Sequence, residues 1–167
     1  KDLNTAIKNS RFHGKGITYN VGESLLAKSH ESSYLAEEEW FMGNWLSSHG
    51  VSVPKFYALI SPRCRIHKPD NQNGRGYIIM ERIVGSTISD LDTNDRKDAI
   101  IQLKNNLVKV LSHNIIPGDS ALTGKMGNEV YDPRQKKIYL LDFVHWHFVT
   151  PEDEQLQRFR ERLNLIT

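Results

Sequence analysis

Apolar positions change rhythm twice along this chain. From Phe12 to His30 they fall in short β-prone runs broken by glycine: Phe12 to Gly16, Ile17 to Val21, then Ser24 to Lys28 after Gly22-Glu23. Such runs between turn residues predict strand, tight turn, strand, turn, strand. Residues Asp2 to Asn9 can form a short helix ahead of them. Ser32 or Ser33 then caps a predicted helix to about Ser48, ended by His49-Gly50. Glu37, Glu38 and Glu39 lie toward its start, and Leu35, Trp40, Phe41, Trp45 and Leu46 cluster on one face at helical spacing. Val51 to Pro54 leads into a strand near Lys55 to Ile60, which Arg63 to His67 can continue before the polar loop Lys68 to Gly76. The unbroken apolar run Tyr77-Ile78-Ile79-Met80 reads as a buried strand.

After Gly85 the pattern turns helical. Thr87 to Leu91 reads as a turn, and Asn94 or Asp95 caps a helix carrying Ile100, Leu103, Leu107, Val110 and Leu111 at the 3.6-residue period. Residues His113 to Asn128 form an irregular stretch with Pro117, Gly118, Gly124 and Gly127. Two short strands follow, Glu129 to Tyr131 and Lys137 to Leu141, joined by Asp132-Pro133-Arg134-Gln135. Thr150-Pro151-Glu152-Asp153 opens a last helix to about Leu165, with proline at its first position. A strand-rich half with one helix, then a helical half with a small hairpin, predicts an α+β chain of two lobes, 1–83 and 84–167, hinged near Glu81 to Gly85.

Composition removes several alternatives. At 167 residues the chain suits one domain or two small lobes. With 38% apolar and 25% charged residues it is neither collagenous, nor a coiled coil, nor wholly disordered. The 22 basic and 20 acidic residues leave a charge of +2, too balanced to call for nucleic acid. No apolar run approaches the roughly 18 residues of a membrane span. We therefore expect no nucleic-acid or membrane partner, and a monomer. The single Cys64 excludes an internal disulfide and a Cys-rich metal framework, which favours a reducing compartment. No signal-peptide pattern is visible, and a chain opening on Lys1 reads as a piece of a longer protein.

Candidate chemistry gathers in four places. Gly14-Lys15-Gly16 lies between strands, where glycine backbone can approach a phosphate; alone it equally makes a hairpin turn. Lys28 closes the apolar strand Leu25-Leu26-Ala27, and Glu39 follows on a helix whose apolar face docks on that sheet. Such a lysine is otherwise a solvated edge charge. Strand–helix pairing of Lys and Glu aims an ammonium at nucleotide phosphates. The run Met80-Glu81-Arg82-Ile83 leaves a buried strand toward Gly85 with backbone groups available to an adenine edge. Asn128 on one short strand and Asp142-Phe143 at the end of its partner bring two oxygen ligands together, as Mg²⁺ and phosphates require. His145 and His147 flank Trp146 at metal-compatible spacing but have no third ligand nearby, and His13, His30, His49, His67 and His113 read as surface or cap residues. Trp40, Phe41 and Trp45 read as core between helix and sheet.

In this order, Gly-loop, Lys28, Glu39, Met80-Glu81-x-Ile83, Asp119, Asn128 and Asp142-Phe143 resemble the protein-kinase-like fold. Trp45 to Pro54 is similar to the join after the first helix in aminoglycoside and choline kinases. The short chain more closely resembles the minimal effector kinases of type III secretion, the HopBF family and the OspG/NleH group. This resemblance spans about residues 12 to 145. It implies a minimal bilobal fold, with an antiparallel sheet and one helix in the N-lobe and a reduced helical C-lobe, using ATP and Mg²⁺. It also implies that Gly14, Lys15, Gly16 and Lys28 hold phosphates and that Glu39 orients Lys28. Met80, Glu81 and Ile83 would border adenine, Asn128 and Asp142 would bind the metal, and Asp119 would be the base. It further implies secretion by a bacterium into a host cytoplasm and a host protein as substrate, a cytosolic heat-shock chaperone in the HopBF case.

Three residues depart from the kinase pattern: Tyr19 for the loop's third glycine, Val144 after Asp142-Phe143, and Pro117 for the usual histidine. Counting back from Asn128 also places Thr123, not Asp119, at the catalytic position, with Lys125 where protein kinases carry their loop lysine. Asp119 fits if the loop holds four extra residues, and only it supplies a carboxylate. Two rival readings stay open: a small-molecule phosphotransferase, and a pseudokinase acting as a binding module.

Overall fold

A computed structural model describes residues 17–61, 76–118 and 127–164 of the chain. The expected helix at Asp2 to Asn9, the first strand at Phe12 to Gly16, the extension at Arg63 to His67 and the last residues before Thr167 lie outside them. The chain divides into two compact units. Among the described residues, one comprises 17–44, 54–61 and 76–82, and the other 45–53, 83–118 and 127–164.

Strands β1 (Ile17–Val21), β2 (Leu25–His30), β3 (Phe56–Ile60) and β4 (Gly76–Glu81) form the sheet of the first unit, in the order β1-β2-β4-β3, antiparallel throughout. Gly22, at φ +79°, supplies the left-handed residue of the three-residue turn between β1 and β2. Gly76, Ile78 and Met80 of β4 are buried while Tyr77, Ile79 and Glu81 are half-buried. The apolar run is thus not buried throughout, because the antiparallel sheet has one face more deeply covered than the other.

Helix α1 (Ser33–Ser48) covers that face. The Ser32 hydroxyl caps it, accepting from Leu35 N at 3.3 Å. Its buried stripe is only in part the one expected: Leu46 is buried, but Ala36, Glu39, Met42 and Gly43 point inward in place of the aromatic residues, and Phe41 is 58% exposed. Two glycines explain the choice. A Cβ on Gly43 would meet the Phe56 ring at 2.3 Å, and one on Gly76 would meet Ala36 Cβ at 2.5 Å and Ser33 Cα at 3.0 Å. Small residues on both sides bring helix and sheet together, and Trp40 packs edge-on against Phe56.

In the second unit, the end of α1 closes with a left-handed Gly50 (φ +72°) in paired bonds, Gly50 N to Ser47 O and Val51 N to Leu46 O. Trp45 turns away from the expected core role; it stacks on His49 at 3.6 Å and meets His113 and Phe148 edge-on. Beyond Gly85 come β5 (Ser86–Thr87), a 3₁₀ turn at Ile88–Asp90, and α2 (Thr93–Ser112). Asp92, not Asn94 or Asp95, caps α2, accepting from both their amides at 2.9 Å. Helix α2 buries Ala99, Leu103, Leu107, Val110 and Leu111, leaving Ile100 partly exposed. Strands β7 (Glu129–Asp132) and β8 (Lys137–Leu140) join β5 in one sheet, and β6 (Ile115–Ile116) pairs with β9 (His147–Phe148). Helix α3 (Glu154–Leu163) starts later than its proline suggests, because Asp153 is the cap and Pro151 stands before it. No helix among the described residues is long and apolar enough to cross a membrane.

Candidate functional site

Strand alternation puts Lys28 and His30 on the face of β2 that α1 covers. Glu39 reaches down from the helix between them. Lys28 Nζ lies 2.9 Å from Glu39 Oε1 and 2.8 Å from Oε2, and His30 Nε2 lies 2.7 Å from Oε2. The His30 contact is close without being aligned as a hydrogen bond. The Glu39 side chain is wholly buried and that of Lys28 only 13% exposed. Lys28 is therefore not a solvated edge charge. Burial pushes the Glu39 carboxyl up, but His30 and Lys28 outweigh it and hold the group below its ordinary range. His30, expected at the surface or a cap, is buried instead. The signal that could have found it is its i, i+2 spacing from Lys28.

Where β4 ends, Met80 is buried opposite Leu26 and Phe56. Glu81 and Lys55 lock reciprocally: Glu81 N donates to Lys55 O at 2.8 Å, and Lys55 N donates to Glu81 Oε2 at 3.1 Å. Of the Glu81 backbone, the N–H is thus already used. Ile83, in the second unit, is half-buried, and its N–H makes no hydrogen bond to another described residue.

In the second unit the β7–β8 ladder continues one rung past Glu129 and Leu140, with Leu141 N donating to Asn128 O at 2.8 Å. This bond ties Asn128 to the residue before Asp142. Asp142 then takes a left-handed φ of +61°, a conformation aspartate tolerates better than most residues, and Phe143 is fully buried against Trp146. His145 is left-handed too, at φ +71°, while Val144 is not, so valine serves where the kinase pattern has glycine. The β6–β9 pairing sets Ile116 opposite His147, and a Cβ on Gly118 would stand 2.9 Å from His145 O. Both sides of residues 119–126 are thus anchored to the stretch around Asp142. Asp119, Thr123 and Lys125 themselves lie outside the described residues, as do Gly14, Lys15, Gly16 and Cys64.

Asn128 and Asp142 offer hard oxygen donors from half-buried positions, which fits Mg²⁺, an ion that takes one or two protein ligands and keeps its remaining positions for phosphate and water. Among the described residues no group of three or more His, Cys, Asp or Glu is placed to hold a metal. His147 Nδ1 lies 3.1 Å from His145 O, a polar contact within the chain.

No family model matches the chain, and no curated protein matches it. Solved structures do resemble it in fold. One is the Cydia pomonella granulovirus kinase PK-1, at a TM-score of 0.60 and 18% identity, over 88% of this chain and 58% of that one. The fold is therefore protein-kinase-like, α+β as the residue order implied. The chain spans little more than half the length of that kinase, and the likeness singles out no kinase subfamily.

Proposed function

We propose that the chain is an ATP-dependent phosphotransferase acting on a protein hydroxyl. The observation that carries this reading is the buried carboxylate of Glu39 holding the Lys28 ammonium on a kinase-like sheet. Lys28 would bind nucleotide phosphates, with Glu39 fixing its direction. Gly14, Lys15 and Gly16 would cover those phosphates. The Glu81 carbonyl and the Ile83 N–H would meet the adenine edge, with Met80 behind them. Asn128 and Asp142 would hold Mg²⁺, which when bound neutralises charge on the phosphate oxygens. Asp119 would orient the acceptor and take its proton as the hydroxyl oxygen bonds to the γ-phosphorus and the bond to ADP breaks. Positioning and electrostatics supply most of such catalysis.

The finer reading follows the effector-kinase resemblance. The acceptor is a serine or threonine of a host protein, met after secretion into the host cytoplasm, and a cytosolic heat-shock chaperone is the first candidate. Labelled ATP·Mg²⁺, the purified protein and a host-cell lysate test both levels. Label on protein supports the proposal, label on small molecules alone replaces it with a metabolite kinase, and no transfer at all points to a pseudokinase.

A further inference from the structure

Glu39 faces two nitrogen-bearing side chains, and the reading above employs only one. His30 stands two residues beyond Lys28, with its side chain only 5% exposed and its Nε2 2.7 Å from the same Oε2 that Lys28 Nζ approaches at 2.8 Å. One carboxylate is shared between an ammonium and an imidazole. Its surroundings are closely built. Gly76 lies opposite His30 on β4, and its missing side chain is what lets Ala36 and Ser33 of α1 approach the sheet there.

The charged groups facing the ring are few. On the same face β4 presents Gly76, Ile78 and Met80, and β1 sets Thr18 opposite Lys28. Helix α1 buries Ala36, Met42 and Gly43 beside Glu39. Among these residues Glu39 is the charge that touches His30, and Lys28 shares that carboxylate. With a neutral imidazole the three side chains sum to zero charge; with an imidazolium they sum to +1.

We propose that His30 is a positioning residue for the phosphate-binding lysine: when protonated it holds one oxygen of Glu39 and adds a positive charge beside Lys28, so that ATP binds more tightly. Its consequence for ATP rests on the phosphotransferase reading; the sharing of Glu39 does not. Histidine is the side chain that ordinarily changes charge near neutral pH, which sets the range that the test covers.

The test measures ATP·Mg²⁺ dissociation constants from about pH 5.5 to 8 for the protein and for His30→Gln, with kcat followed separately. The protein should gain about fivefold in affinity over the variant as pH falls, with kcat changing less. The titration of the phosphate itself is common to both and cancels. Parallel profiles overturn the proposal. A second measurement needs no variant. The side-chain carbon resonance of Glu39 and the ring resonances of His30 should titrate with one midpoint, and a Glu39 signal indifferent to His30 also overturns it. Joint titration in a protein that binds no ATP would remove the phosphotransferase reading and leave His30 as the second partner of Glu39.

Discussion

Lys28, Glu39 and His30 meet beneath helix α1 almost out of solvent contact, whereas Asn128 and Asp142 stand half-buried at strand ends. The first group is placed by packing: small residues at 36, 43 and 76 close helix on sheet until one carboxylate reaches both Lys28 and His30. The second is placed by backbone, through the Leu141–Asn128 bond and the left-handed turn at Asp142. A buried charge is a structural commitment as well as a chemical one, since it must stay paired. A half-buried carboxylate placed by its own backbone carries less of that structural commitment. Stability and activity should accordingly separate between the two units.

The largest effect is expected at Glu39. Glu39→Ala leaves the Lys28 ammonium and the His30 ring facing a cavity and should cost about 3–5 kcal/mol, the usual penalty for breaking a buried pair. Urea unfolding measures it, and a loss under about 1 kcal/mol would mean that the first unit is not held by this pair. Lys28→Ala should be costly for the same reason, so the loss of phosphoryl transfer that the proposed function predicts has to be measured on protein shown to be folded.

Asp142→Asn is the converse case. Asparagine accepts a left-handed φ as readily as aspartate, so the backbone should hold and the loss of stability should stay well below that at Glu39. Turnover, if the phosphotransferase reading holds, should fall about 100-fold or more, because an amide supplies no charge to a metal. Unfolding together with a Mg²⁺ titration of activity separates the two. A large loss of stability would erase the contrast between the units.

Acid sharpens the same contrast. Glu39 is held below its ordinary 4.5, and Asp132 below 3.8, where burial is outweighed by the Arg134 and Gln135 amides, the Gln135 side chain and the Arg134 charge. For a depressed carboxyl the unfolded chain takes up the proton first. The stability it contributes is therefore present above the ordinary value and is lost as pH falls through the folded one. Unfolding free energy should thus decline first below pH 4.5 through Glu39 in the first unit, then below 3.8 through Asp132 in the second. Glu39→Gln should remove the earlier step. An unchanged acid limb in that variant would show that the carboxylate contributes nothing through ionisation.

Much of this was legible in the chain, and what was not shares a cause. Lys28 and Glu39 could be paired from sequence because strand, helix and spacing are local signals. The face of α1 was misread because side-chain size pointed to Phe41, while close approach at Gly43 and Gly76 selects Ala36 and leaves Phe41 in solvent. His30 was missed for the same reason, as its burial depends on Gly76 of a distant strand. The pairing of β6 with β9 involves two residues on each side and has no local signature. Helix starts were misplaced by two or three residues because Asn94, Asp95 and Thr150 also look like caps, and only the bonds made by Asp92 and Asp153 decide.

Those caps supply the smallest effects and a last comparison. In the first unit, Ser32 Oγ accepts a single long bond from Leu35 N at 3.3 Å. In the second, Asp92 Oδ1 accepts two bonds at 2.9 Å, from Asn94 N and Asp95 N, and its charge also favours the positive end of α2. Replacing a cap by alanine costs about 0.5–2 kcal/mol, and geometry decides where in that range each falls. Asp92→Ala should lie near 1.5 kcal/mol, or about 1 kcal/mol at high salt, where the dipole contribution is screened. Ser32→Ala should lie near about 0.5 kcal/mol and be insensitive to salt, because a hydroxyl carries no charge. Urea unfolding of both variants at low and high salt reads the difference. Equal losses would mean that α1 depends on its cap as much as α2 does. The two-glycine closure over Glu39 would then not be what holds α1 in place.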